Sequence, residues 1–130
     1  MTLFKNICLA AVLNAVIGAG AFAGGSSKVD VSQNTLSCGG VEPFWSADIT
    51  QDTLSFQMLG QEPQSEAITW SAPAQGRPED FIKGIVAGGY TAILRSQVCF
   101  DGMSDREYPM AIALMTHDKV DVQLLEGCCF

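Results

Sequence analysis

From Phe44 onward the chain alternates apolar and polar positions with a period of about two, the pattern of strands that bury one face. Trp45, Ala47 and Ile49 alternate with Phe44, Ser46, Asp48 and Thr50, and after Gln51-Asp52 the residues Leu54, Phe56 and Met58 alternate with Ser55 and Gln57. This predicts a hairpin over residues 44–59 that turns at Gln51-Asp52. Residues 60–66 read as a loop, followed by a short strand from Ala67 to Ser71 that carries Trp70. The longest strand is expected over residues 90–100, with Ala92, Leu94, Ser96 and Val98 on one face and Thr91, Ile93, Arg95 and Gln97 on the other. Met110, Ile112 and Leu114 then alternate with Ala111, Ala113 and Met115. A turn follows at Thr116-His117-Asp118-Lys119, and Val120, Val122 and Leu124 alternate with Asp121 and Gln123 before the closing EGCCF.

One stretch is ambiguous: SAPAQGRPEDFIKGIVAGG, residues 71–89. Pro78 followed by Glu79 and Asp80 resembles a helix start, because proline suits the first turn and acids suit its exposed amides. Gly84, Gly88 and Gly89 each weaken a helix by about 1 kcal/mol, so a turn or two of helix competes with a strand. No stretch carries a long helical period and nothing repeats. The expected fold is all-β, a small antiparallel β-barrel or two-sheet sandwich with at most one short helical turn. The aromatic residues Phe44, Trp45, Phe56, Trp70 and Phe81 are expected in the core or at its rim.

The start of the chain has a different character. Lys5 precedes an apolar run from Ile7 to about Ala19, and Ala21-Phe22-Ala23 closes it, the arrangement of a secretory signal peptide cut after Ala23. The run is shorter than the roughly 20 residues a membrane span needs, and Asn14 interrupts it. The expected organisation is a signal peptide over residues 1–23, a loose polar leader over 24–34 and a single β domain over 35–130. It implies export to the periplasm of a Gram-negative bacterium without stable membrane insertion after cleavage. Loss of Lys5 with the leader takes the formal charge from −7 to −8. So acidic a chain lacks the clustered lysines and arginines that bind a phosphate backbone, which argues against nucleic acid. It suits a cationic partner.

Cleavage leaves four cysteines, Cys38, Cys99, Cys128 and Cys129. An even count in an exported chain reads as two disulfides. A bridge between the neighbours Cys128 and Cys129 would need a strained geometry, so each is expected to pair with one of the distant cysteines, in either of two connectivities. A zinc site is disfavoured because the spacing lacks a C-x2-C pair and export favours oxidation.

The densest chemistry lies in CFDGMSDREYP, residues 99–109. The lone histidine, His117, has no G-x-S-x-G elbow with it, which argues against a Ser-His-acid hydrolase. Asp101, Asp105 and Glu107 could serve as paired carboxylates in a small hydrolase. Their spacing is wrong for a calcium loop, with Met103 at a ligand position. A structural reading competes with these. Gly102 permits a turn, Ser104 or Asp105 bonds backbone amides, and Arg106 reaches Asp105, Glu107 or Glu42, while Pro109 extends Tyr108 and Cys99 anchors the loop's entry.

The blocks CGGVEPFWSADI (residues 38–49), CFDGMSDREYP and LLEGCC (residues 124–129) resemble a family of small uncharacterised exported bacterial proteins, catalogued as membrane proteins and some of them lipoproteins. Its signatures are EPFW, C-x-DGMSDR-x-YP and a terminal GCC. The resemblance implies no established activity. Loosely similar architectures include small disulfide-tied β-barrels that inhibit lysozyme and heat-shock-associated domains of the outer envelope. The expectation is a periplasmic non-enzymatic binding or envelope-maintenance domain. A lysozyme inhibitor and a small hydrolase are the alternatives. The suspected binding residues are Glu42, Trp45, Asp101, Ser104, Asp105, Arg106 and Tyr108, on one patch shared by the EPFW segment and the 99–109 loop. No catalytic residue, metal or cofactor is assigned.

Overall fold

The computed structural model describes residues 35–117 and 120–130. The expected signal peptide and leader, residues 1–34, lie outside the described residues, as do Asp118 and Lys119 of the expected turn. Ten strands follow in order: β1 (Leu36–Val41), β2 (Phe44–Ile49), β3 (Thr53–Met58), β4 (Gln64–Pro73), β5 (Ile82–Ala87), β6 (Tyr90–Arg95), β7 (Cys99–Phe100), β8 (Glu107–Tyr108), β9 (Met110–His117) and β10 (Val122–Cys129). Eight of them close an antiparallel barrel in the order β1-β10-β9-β6-β5-β4-β3-β2, and β7 and β8 form a separate two-stranded flap. Closure leaves the inward face of each strand as the core.

The alternation in the sequence maps directly onto that core. Trp45, Ala47 and Ile49 of β2 are buried opposite Met58, Phe56 and Leu54 of β3, with Leu54 fully enclosed. The hairpin turns where its composition predicts: the Thr50 hydroxyl receives the amides of Asp52 at 3.3 Å and Thr53 at 3.0 Å. Ala92 and Leu94 face Leu114 and Ile112 across β6 and β9.

Four expectations are corrected. First, the described residues contain no helix. Pro78 to Phe81 makes only a turn, the Phe81 amide bonding the Pro78 carbonyl at 3.1 Å, and Ile82–Ala87 is a strand. That strand is paired on both sides, by β4 and by β6, so ladder hydrogen bonds and the burial of Ile85 and Ala87 outweigh the local helix signal. Second, β4 runs from Gln64, three residues before the expected start. Third, the strand begun at Tyr90 ends at Arg95. Ser96 bonds back to Phe81 at 3.0 Å and Val98 is exposed. Fourth, the apolar face of β10 is turned outward: Val122 and Leu124 are 61% and 70% exposed, while Leu125 and Cys129 are buried. Of the aromatic residues, Trp45 and Phe56 are in the core, whereas Phe44, Trp70 and Phe81 are exposed.

Chain closure rests on a short seam. β1 pairs with β10 only at Cys38↔Cys129 and Gly39↔Cys128. Ser37 and Phe130 add a reciprocal pair of backbone bonds, at 3.2 and 2.9 Å. The Cys38–Cys129 disulfide crosses this seam from the inside, its Cα atoms 4.0 Å apart. Glycines permit the close approach. A Cβ on Gly127 would meet the Gly39 carbonyl group and stand 2.8 Å from Trp45 Cζ2, and one on Gly40 would meet the Trp45 indole and stand 2.5 Å from the Glu126 carbonyl oxygen. The indole therefore lies under a seam that only bare Cα atoms can cover.

Candidate functional site

Successive residues of a strand point to opposite faces, and Cys128-Cys129 uses this directly. Cys129 turns inward to Cys38. Cys128 turns outward and holds the flap through Cys99, with Cα atoms 5.5 Å apart. Within the flap Cys99 pairs with Tyr108 and Phe100 with Glu107. Gly102, at a φ of 77°, supplies the left-handed turn residue.

Asp101 is the centre of the loop. Its Oδ1 accepts the amides of Met103 at 2.9 Å and Ser104 at 2.8 Å, and its Oδ2 accepts the hydroxyls of Ser104 at 2.9 Å and Tyr108 at 3.2 Å. The Ser104 hydroxyl also receives the Arg106 amide at 3.3 Å. These donors favour the ionised form, the Ser104 amide most and the Met103 amide next, and bring the carboxyl from 3.8 down to about 2. Arg106 does not close the loop through a carboxylate as its sequence context suggests. Its guanidinium lies over the rings of Tyr108 at 5.2 Å and Phe130 at 5.9 Å, and those rings pack on each other at 5.9 Å. A tilted aromatic pair gives a flat guanidinium more contact than a solvated carboxylate does.

This bonding defines a test. The folded-state value of Asp101 lies below the unfolded one, so its contribution to loop order is fully present above pH 3.8 and is lost as the pH falls towards about 2. Amide exchange at Met103 and Ser104 is expected to lose protection in that window. Asp101→Asn should lose it at neutral pH, with a Tm shift of no more than about 5 °C. Unchanged protection in Asp101→Asn would remove Asp101 from the centre of the loop.

Next to the flap lies a groove of about 390 Å³, lined by Gly39 to Glu42, Cys99 to Asp101 and Leu124 to Cys128. It exists because the β1–β10 ladder stops at Gly39↔Cys128. In an antiparallel strand every second residue directs both main-chain groups to the same side. Glu126, Leu124 and Val122 therefore follow Phe130 and Cys128 in facing β1; Gly40 of β1 packs over the Glu126 carbonyl, and Leu124 and Val122 beyond it have no strand of the described residues to pair with. Glu42, Asp101 and Glu126 each line part of this groove. Ser104, Asp105, Arg106 and Tyr108 belong to the flap itself and do not line the groove. Trp45, a suspected binding residue, is 5% exposed and belongs to the core.

The general-acid role needs a raised carboxyl pKa. Asp101 has the reverse, with both oxygens committed to donors. Among the described residues no group of three or more His, Cys, Asp or Glu side chains is placed to hold a metal ion. His117 ends β9, its Nε2 3.2 Å from the Thr91 hydroxyl.

A second concavity lies at the open end of the barrel, about 500 Å³ in volume and lined by residues that include Phe56, Met58, Gln64, Glu66, Tyr90, Thr116 and Gln123. Gln64 and Glu66 fall in the segment expected to be a loop, and no site was assigned to them. Their spacing with Ile68 continues the inward phase of β4, which was the available signal.

Together these features define a small, closed, antiparallel β-barrel with an external disulfide-held flap and an acidic groove beside it. No family model, curated protein or solved structure matches the chain.

Proposed function

We propose that this chain is an exported, periplasmic, non-enzymatic binding domain whose groove grips an extended segment of a cationic protein. The observation that carries the reading is the coincidence, in one groove, of an unpaired strand edge with three carboxylates. An added strand bonds through its main chain to β10 at Val122 and Leu124, the mode called β-augmentation. Its apolar side chains rest on Val122, Leu124 and Phe100, all exposed. Its basic side chains meet Glu42, Asp101 and Glu126. The flap, fixed by Cys99–Cys128 and by Asp101, forms one wall without having to order on binding, which lowers the entropic cost. The acidic charge favours the same reading. Lysozymes are cationic and reach the envelope, so a lysozyme is the first partner to test.

Binding of one purified lysozyme from each structural class to the immobilised β domain is the experiment. A dissociation constant between nanomolar and micromolar is expected, with association slowing as salt rises. Glu42→Gln with Glu126→Gln should weaken it at least tenfold while leaving the Tm within a few degrees. No binding to any lysozyme class ends the inhibitor reading. Full-strength binding by the double variant ends the groove reading.

A further inference from the structure

We infer that the open end of the barrel is a separate binding site for a small organic ammonium ion. This goes beyond the groove and does not depend on it, since the two sites share no lining residue. The alternation of the strands locates the cavity at the open rim of the barrel, where Gln64, Glu66, Asp121 and Gln123 stay exposed above buried Phe56. Phe56 and Leu54 are inward on β3, and they pair with Gln64 and Glu66 of β4, so those two polar side chains also face inward. Tyr90 is matched with Thr116, and Thr116 with Gln123, in the same inward row as buried Ala92, Leu114 and Leu125. A fully apolar filling would have sealed this end. Instead its upper layer is Gln64, Glu66, Tyr90, Thr116 and Gln123, above the apolar core.

The chemistry of the layer selects the ligand. The rings of Phe56 and Tyr90 stand 5.2 Å apart, tilted by 42°, and with Met58 they form an apolar and aromatic floor. Two carboxylates, Glu66 and Asp121, reach the cavity, and no lysine or arginine lines it among the described residues. Glu66 lies against the turn between β5 and β6. Gly88 has a φ of 52°, and a Cβ there would stand 2.6–2.7 Å from the Glu66 side chain, so a bare glycine is the cradle for the carboxylate. Asp121 is steadied by the Gln123 amide at 3.2 Å. Aromatic faces and a carboxylate around one space attract an ammonium group from two directions, and both attractions strengthen as water is displaced. Amides and a hydroxyl at Gln64, Gln123 and Thr116 orient a hydroxyl or second amine on the same molecule. The volume falls within the usual range of about 300–1,000 Å³ for small-molecule sites.

Titration of the β domain with choline, with putrescine and with the uncharged carbon isostere of choline tests this, followed by amide chemical shifts and by calorimetry. Saturable shifts at Glu66, Gly88, Gly89, Tyr90 and Gln123 are expected for both cations and not for the isostere. Glu66→Gln should weaken binding at least tenfold, with its own Tm and spectrum showing an intact barrel. Asp121→Asn, whose carboxylate already accepts the Gln123 amide, should weaken it by a smaller factor. Equal binding of the isostere, shifts spread over the acidic surface, or undiminished affinity in a folded Glu66→Gln protein would each overturn the inference.

Discussion

Replacing Cys38 and Cys129 together by alanine is expected to lower the stability of the barrel by about 4–5 kcal/mol. The bridge spans 91 residues, and the chain-entropy relation gives about 4.6 kcal/mol for a loop of that size. The native state adds its own reason. Without the bridge the barrel is held shut by two residue pairs and the Ser37–Phe130 bonds, whereas β9 and β10 share eight pairs. The Tm should fall on the order of 20 °C, and amides of β1 should exchange faster than those of β9. Removal of Cys99 and Cys128, which span 29 residues, has an upper value of about 3.6 kcal/mol by the same relation. That change should free the flap while the barrel stays closed. Calorimetry and amide exchange on the two double variants check the contrast. If the flap bridge proves as costly as the seam bridge, or β1 keeps its protection without Cys38–Cys129, the seam is not the weak point.

Trp45→Ala is expected to cost about 3–5 kcal/mol, the usual range for deleting a buried large aromatic side chain. The indole packs against Phe56 at a centroid distance of 6.0 Å and fills the space under Gly40 and Gly127. Its removal opens a cavity where the ladder is shortest, and the glycines above cannot refill it. Trp45→Phe should recover part of the loss. Denaturant unfolding measures both effects. The same variants separate packing from recognition. A core role predicts that the folded fraction of Trp45→Ala binds a groove ligand as the unaltered chain does. A loss of affinity without loss of stability would restore Trp45 to the binding surface.

Strand positions were legible wherever one face is apolar throughout. The hairpin from Phe44, the core pair Ile112 and Leu114, and Ala92 with Leu94 all follow from a period of two. The reading failed where local composition and long-range constraint disagree. Val120, Val122 and Leu124 form the more apolar row of their segment, yet the covalent demand that Cys129 face Cys38 sets the phase of β10 and turns Val122 and Leu124 outward. Pro78-Glu79-Asp80 is a sound helix start, but Ile82–Ala87 gains two ladders in the sheet and a single turn of helix gains none. Glu66 is not legible as a site residue because an exposed carboxylate at the rim of the barrel carries no apolar signal. Arg106 is expected to reach Asp105, Glu107 or Glu42, whereas it lies over Tyr108 and over Phe130, whose place beside it depends on the distant end of the chain.

By itself the sequence determined the all-β class, the antiparallel alternation, and the existence of two bridges each using one member of the Cys128-Cys129 pair. Side-chain alternation and bond geometry are local properties, readable from spacing alone. Only the tertiary structure decided which cysteine meets which, where the ladder between β1 and β10 ends, and that CFDGMSDREYP is organised around Asp101 beside a groove. Those outcomes depend on barrel closure, which brings residues from opposite ends of the chain together, and no local pattern encodes the register at which they meet.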